Sequence, residues 1–354
     1  MSFLLYLCVH KREKSMVIKS VSWKFELCRT GYDPFIDFLK GYCIVLVILN
    51  HCIPTNVRMQ IGFPLWGSPA VPIFLILQVF HFYKRDFDFR KLDFGKMWKR
   101  VAKPFLIVEL IILFFWQLSF MNNDGEQPSI KDCLYLFAGG AGSYYPWVYL
   151  QFAILLPLLR PLFRLNNSWR IFVFLLLSQL AEVLCSVCDM PEWIYRLTFF
   201  RYLFLIYLGE LLASKGLVLN GKTMLIVVVS ILSTVVFVYY HIGDNPLTYH
   251  VDAWSTCHWI CYFYMVYLVM FLIKFIYSCI QNSFLVCYFK QIGKYSYEIY
   301  IFQLFYFTCV SPIILKYRYI GDSLLVYVFL STILCIVPVI MFQQIKSKRE
   351  SQKR

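Results

Sequence analysis

The chain has 354 residues, of which 60% are hydrophobic and only 15% are charged. A soluble domain of this length would carry more charge and fewer long apolar runs, so the composition excludes an ordinary soluble protein. The net charge of +14 does not indicate nucleic-acid binding, because the basic residues cluster in short loops between apolar runs. The apolar runs do not alternate as barrel strands would. We therefore expect an all-α, polytopic integral membrane protein with no nucleic-acid partner.

Ten candidate membrane spans follow one another along the chain. They fall near residues 36–54, 69–83, 102–120, 144–163, 170–188, 197–213, 223–240, 257–279, 293–315 and 322–345. The second is shorter than the roughly 20 residues that usually cross a bilayer. We find no internal repeat and no long polar connection. The pattern predicts one bundle of about ten transmembrane helices.

The loops between these spans alternate in charge. Those after the second, fourth and sixth spans are rich in Lys and Arg, as is the C-terminal tail, whereas the intervening loops are poor in both. Because basic loops stay in the cytoplasm, both termini are predicted to be cytoplasmic. We divide the chain into a cytoplasmic arm (1–34), a ten-helix membrane domain (35–345) and a basic cytoplasmic tail (346–354).

The first span contains a lysine, Lys40, and a histidine, His51. Such residues are costly inside a membrane, so each is a candidate for function. A helical rise of 1.5 Å per residue separates them by roughly 16 Å along the axis. Lys40 then lies near the cytoplasmic face and His51 towards the outer side. The structural alternatives are a lysine that extends to the lipid headgroups and a histidine that hydrogen-bonds within the bundle.

A second basic group, Arg100 and Lys103, leads into the third span. Residues three apart share a helix face, so these two can bind one polyanion from the cytoplasmic side. The alternative is charge that only sets topology. Glu109 follows in the same helix, where we interpret it as the charge partner of a basic residue in a neighbouring span. An isolated Cys-x-x-Cys pair at Cys185 and Cys188 has no second pair at zinc spacing, so no metal is expected.

With these residues the chain resembles the membrane acyltransferase-3 family, the ten-helix enzymes that O-acylate bacterial surface glycans. The resemblance extends from about Phe35 to Met341. The family's Arg-x10-His pattern of the first span reads Lys40-x10-His51 here, and its Arg-x-x-Arg reads Arg100-Val-Ala-Lys103. Further matching segments are Tyr145–Leu150, Arg201–Gly209 and Gly293-Lys-Tyr-Ser-Tyr-x-x-Tyr300.

The chain departs from the family pattern at several positions. Lysines replace arginines at Lys40 and Lys103, which keeps the charge but loses the planar guanidinium. Gln78-Val79 stands where the family has Ser-Gly, and Gln303 stands where it often has His. These changes bear on how the acyl donor is bound and on whether the protein is active.

The resemblance implies an acyltransferase in the inner (plasma) membrane that takes acetyl-CoA as co-substrate. The acceptor would be a glycan or a lipid-linked saccharide. The three basic residues Lys40, Arg100 and Lys103 would hold the coenzyme phosphates. His51 would act as general base, and family position makes Tyr297 and Gln303 candidates for stabilising the oxyanion.

Two other functions stay open. Intramembrane Glu, Arg and His residues would also serve a polytopic transporter of a small molecule or glycan precursor. The altered motifs would equally suit an inactive family member that acts as a scaffold in a glycan-assembly complex.

Overall fold

The computed structural model describes residues 33–67, 69–84, 94–121, 143–188, 190–217, 259–316 and 323–352, and the single positions 228, 231, 232 and 235. All regular structure in these ranges is helical. The N-terminal arm, most of the predicted seventh span and the acidic loop near residue 124 lie outside the described residues. The all-helical fold predicted from the sequence is confirmed for the described part of the chain.

The first half of the bundle comprises eight α-helices with irregular turns between them. They are α1 (Pro34–Cys52), α2 (Thr55–Gln60), α3 (Phe63–Trp66), α4 (Ala70–Lys84), α5 (Phe94–Met97), α6 (Lys103–Met121), α7 (Tyr144–Leu159) and α8 (Asn167–Val187). A π-helical turn (Trp98–Ala102) joins α5 to α6, and a 3₁₀ turn (Arg160–Arg164) extends α7.

The second half adds seven α-helices. They are α9 (Glu192–Leu197), α10 (Leu203–Lys215), α11 (Trp259–Ile280), α12 (Phe284–Lys294), α13 (Ser296–Phe305), α14 (Ser311–Leu315) and α15 (Leu324–Gln352). A 3₁₀ turn (Phe199–Tyr202) precedes α10, and a second π-helical turn (Tyr306–Val310) joins α13 to α14.

Six stretches in the described part of the chain are long and apolar enough to cross a membrane, and three shorter apolar helices accompany them. The six are Pro34–Cys52, Gly95–Leu118, Tyr144–Arg164, Asn167–Cys185, Ser296–Leu315 and Leu324–Gln352. The shorter three are Ala70–Lys84, Leu203–Ser214 and Val266–Ile280. Helices thus stand at nine of the ten predicted spans, and the count of ten and the orientation of the termini stay predictions.

The central helix is α1, which begins at a well-formed cap. The Asp33 carboxylate accepts a hydrogen bond from the Phe35 amide at 2.9 Å, and Pro34 takes the first helical position. Both features favour a helix start. Burial raises the pKa of Asp33, and the hydrogen bond from Phe35 and the charge of Lys274 oppose that rise. Most of α1 is buried among other helices, so it has little contact with lipid.

The amphipathic helix α12 packs closely on α1, and the apolar runs of the sequence do not predict it. A Cβ at Gly41 would meet the carbonyl of Phe289, and one at Gly293 would meet the carbonyl of Asp37. Paired small residues let helix backbones approach in this way. The predicted ninth span starts too early at residue 293, because the chain leaves the helix at Tyr295 and starts α13 at Ser296.

The segment that follows α1 folds back along it. The Tyr42 hydroxyl donates a hydrogen bond to the Trp66 carbonyl at 3.3 Å. Tyr42 lies ten residues before Cys52, or about 15 Å along the helix. Helices α2 and α3 therefore re-enter the bundle before α4 begins.

Candidate active site

A cavity of about 1890 Å³ opens in the bundle next to the start of α1. Its lining comes from α1, α4, the first π-helical turn, α6, α7, α12, α13 and α15. On α1 only Asp33, Ile36, Asp37 and Lys40 take part, so the cavity occupies the first two turns of that helix.

Basic side chains from several parts of the fold meet at this cavity. They are Lys40, Lys84, Lys99, Arg100, Lys294 and Lys346. Two of them, Lys40 and Arg100, were predicted to bind a polyanion, and the other four were not. Lys84, Lys99 and Lys346 resemble ordinary loop and tail charges in the sequence, and only the folding of distant helices brings them together.

Lys40 is not an unpaired cation. Its ammonium lies 3.6 Å from the Asp37 carboxylate one helical turn earlier, with 27% of the lysine side chain exposed. A pair of this kind within one helix is weak. A phosphate at the cavity mouth would therefore compete readily with Asp37 for the lysine.

Lys103 does not line the cavity with Arg100, in contrast to the expected pairing. Arg100 belongs to the π-helical turn Trp98–Ala102, and Lys103 is the first residue of α6. A π turn takes more residues than the 3.6 of an α-helix, so residues three apart point in more divergent directions. Lys99 takes the predicted place of Lys103 beside Arg100 in the lining.

Tyr297 lines the cavity and fixes the π-helical turn. Its hydroxyl donates a hydrogen bond of 2.7 Å to the carbonyl of Val101, next to Arg100. The one hydroxyl hydrogen is engaged in this bond. The geometry therefore supports a role in positioning Arg100 rather than the oxyanion contact expected from family position.

Aromatic and amide side chains line the deeper part of the cavity. Phe74 packs against Tyr145, and Tyr145 packs edge-on against Tyr300. Gln78 donates from its amide nitrogen to the Tyr149 carbonyl at 2.8 Å, and its own amide oxygen is buried with no described partner. The residue that replaces the family's Ser therefore ties α4 to α7 at the cavity wall.

Gln303 lies just beyond the residues that line the cavity on α13. It follows Ile301 and Phe302, both lining residues, and its side chain is completely buried. Neither its amide oxygen nor its amide nitrogen has a hydrogen-bond partner among the described residues. Buried amides are normally satisfied, so Gln303 is a candidate contact for a polar ligand.

His51 lies outside the cavity lining, near the far end of α1. Its ring is half-buried and packs on Phe307 with ring centroids 5.2 Å apart. Phe307 is one helical turn after Gln303. Among the described residues none hydrogen-bonds to the imidazole. The structure therefore separates the predicted residues into two groups, Lys40, Arg100 and Tyr297 at the cavity and His51 beyond it, with Gln303 between them.

Glu109 is buried next to the residues of α6 that line the cavity. It follows Val108, a lining residue of α6, and its charge acts on Tyr300. No basic residue in the described part of the chain pairs with it, so the interpretation as an ion-pair partner is not supported there. A buried ion pair does form elsewhere, between Arg170 and Glu210 at 2.9 Å.

Comparison with known proteins identifies the family. The model of the acyltransferase-3 family, described as an acyltransferase domain, matches residues 33–343. Among curated proteins and solved structures, none matches the chain significantly. The family match covers most of the chain and includes every residue of the candidate site except Lys346, which follows it. The chain therefore belongs to the acyltransferase-3 family of membrane acyltransferases.

Proposed function

We propose that this protein transfers an acetyl group from cytosolic acetyl-CoA to a hydroxyl of a surface or exported polysaccharide. The observation that carries the proposal is the cavity. Six basic side chains from separate parts of the fold line it and outnumber its three carboxylates, Asp33, Asp37 and Glu298, and most of the other lining residues are aromatic or apolar. A coenzyme with several phosphates and a long, weakly polar arm has the same distribution of charge. The protein would lie in the inner membrane with the basic end facing the cytoplasm.

The basic residues would hold the coenzyme phosphates. Arg100, fixed through the Tyr297 contact with Val101, offers a planar fork to one phosphate. Lys40 and Lys99 supply further charge from neighbouring walls. Lys103 is exposed and does not line the cavity, so its charge would contribute only through long-range electrostatic attraction.

The acyl end would reach towards Gln303. There the unpartnered amide nitrogen would donate to the thioester carbonyl and stabilise the charge that develops on its oxygen. Reaching this point requires the arm to pass Ile301 and Phe302, whose side chains border the cavity. Gln303 thus takes the oxyanion role for which Tyr297 is not positioned.

His51 would act as general base on the acceptor. The acceptor oxygen attacks the thioester carbon while its proton passes to an imidazole nitrogen. The new C–O bond forms, the C–S bond breaks with its electron pair on sulfur, and the proton then passes from His51 to that sulfur to give the free thiol. Among the described residues none occupies either imidazole nitrogen with a hydrogen bond, so one nitrogen can accept the proton.

The test is release of the coenzyme thiol from acetyl-CoA by purified protein with extracted glycan as acceptor. We expect His51→Ala to lower the acceptor-dependent rate by about a hundredfold or more, the usual contribution of a general base. His81→Ala is a matched control, because His81 lines the cavity without a proposed chemical role. Wild-type rates in His51→Ala would end the proposed mechanism.

The two alternatives predict different results in the same preparation. Solute flux in proteoliposomes without consumption of acetyl-CoA would favour a transporter. Absence of both flux and label transfer from radiolabelled acetyl-CoA to glycan would favour an inactive scaffold.

A further inference from the structure

An arginine outside the matched family motifs lies beside His51. Arg58 belongs to α2, the short helix that folds back after α1. Its Nη1 donates to the Asn50 side-chain oxygen at 2.5 Å, and its Nη2 donates to the Thr55 hydroxyl at 2.8 Å. Its charge also acts on the His51 ring. The guanidinium is therefore held in place by neutral groups at the end of α1 that carries the proposed base.

The charge of Arg58 has no acidic partner in the part of the chain that the structure describes. Both of its hydrogen-bond acceptors are uncharged, and its Nε is buried without a partner. Partial burial lowers the pKa of Arg58, because it removes part of the hydration of the charged form. Removing a charge from water is unfavourable unless an opposite charge compensates. The partly buried guanidinium can therefore bind an anion that the described residues do not supply.

The chemistry of the guanidinium limits which anion fits. Arginine forms paired hydrogen bonds with carboxylate and phosphate, whose oxygens match the spacing of its N–H groups. An anion held at Arg58 would stand next to His51. A hydroxyl on the same sugar ring would then be close to the imidazole, as the transfer reaction requires.

We propose that Arg58 binds a carboxylate or phosphate on the acceptor, so that the accepted glycan is acidic rather than neutral. This inference rests on the proposed function, because it assigns the acceptor to the His51 end of α1. The phosphate of a membrane lipid has the same chemistry. The acceptor is favoured because Arg58 is fixed by Asn50 and Thr55 beside the base, whereas a lipid contact needs no such positioning.

The test measures binding rather than turnover, so that it does not depend on transfer activity. The full-length protein is placed in phosphatidylcholine nanodiscs with saturating CoA, which occupies the basic cavity. Saturation-transfer NMR then compares glucose, glucuronic acid and glucose 6-phosphate, which differ only at C6. We expect the two anionic sugars to bind about tenfold more tightly than glucose, the usual effect of a charge-assisted hydrogen bond.

Variants assign the preference to the residue. Arg58→Gln should remove the preference for anionic sugars. Arg58→Lys should retain only part of it, because lysine keeps the charge but lacks the planar guanidinium. Arg164→Gln, at an exposed arginine in the 3₁₀ turn, is the matched control and should leave it unchanged. Circular dichroism and gel filtration establish that each variant is folded.

Three outcomes would overturn the proposal. One is equal binding of glucose and the anionic sugars by the wild type, and another is an intact preference in Arg58→Gln. The third is that native mass spectrometry shows Arg58→Gln losing bound phosphatidylglycerol while sugar binding is unaffected, which would assign the site to lipid. If the preference depends on Arg58 but no acetyl transfer occurs, the anion site stands and the proposed function fails.

Discussion

Replacing Gln303 by methionine should raise stability and lower activity together. The Gln303 side chain is fully buried, and its amide oxygen and nitrogen both lack partners among the described residues. An unsatisfied buried polar group costs about 1–3 kcal/mol, and methionine fills a similar volume without that cost. The interior is closely packed, so part of the gain is lost to altered shape. We expect Gln303→Met to be more stable by about 1 kcal/mol.

The same substitution removes the donor that would face the thioester oxygen. Loss of one oxyanion donor typically lowers kcat by about a hundredfold to a thousandfold. The assay pairs reversible unfolding in mixed detergent micelles with acceptor-dependent thiol release from the same preparation. Gln344→Met is the matched control, because Gln344 is exposed on α15 and should change neither quantity.

Two results would exclude the proposed role of Gln303 as an unpartnered donor to the thioester oxygen. If Gln303→Met is less stable than the wild type, the amide has a partner in the resting protein and is not waiting for one. If kcat is unchanged, the amide does not contact the reacting carbonyl. A decrease in both quantities would indicate that Gln303 supports the fold around His51 rather than the chemistry.

Two further substitutions test the donor site and its support. Arg100→Gln should raise the KM for acetyl-CoA by about threefold to tenfold, a modest effect because the residue is exposed at the cavity mouth. Lys103→Gln, the control, should change the KM little. An equal effect of the two substitutions would support the original prediction that Arg100 and Lys103 bind the same phosphate group. Gly293→Ala should lower unfolding stability by about 1–3 kcal/mol, because the new Cβ meets the Asp37 carbonyl and forces two helices apart. Gly95→Ala at an exposed position is the control, and equal stability of the two variants would refute the close helix contact.

The sequence predicted most of the helices because long apolar runs are the strongest signal in a membrane protein. It did not predict α12 (Phe284–Lys294), because this helix has one apolar face and one polar face and therefore a low mean hydropathy. It also did not predict the return of α2 and α3 into the bundle. Short helices of mixed polarity give no hydropathy signal. Only contacts such as the hydrogen bond from Tyr42 to Trp66 show where these helices lie relative to α1.

The candidate site was predictable only in part. Ionisable residues within spans are rare, which made Lys40 and His51 visible in the sequence. The π-helical turn at Trp98–Ala102 could not be anticipated, so the expected pairing of Arg100 with Lys103 did not match the lining. Arg58 resembled an ordinary loop charge, because its relation to His51 depends on a chain reversal.

If an acyl-CoA binds in the basic cavity, its acyl end should extend towards His51. The most direct measurement is photo-crosslinking with a CoA thioester whose acyl group carries a diazirine, followed by peptide mapping. We expect adducts on the stretch of α13 and the following π-helical turn that contains Gln303 and Phe307, and we expect excess CoA to abolish them. Adducts confined to the exposed outer face of α6, at Phe114 and Phe115, would contradict this expectation.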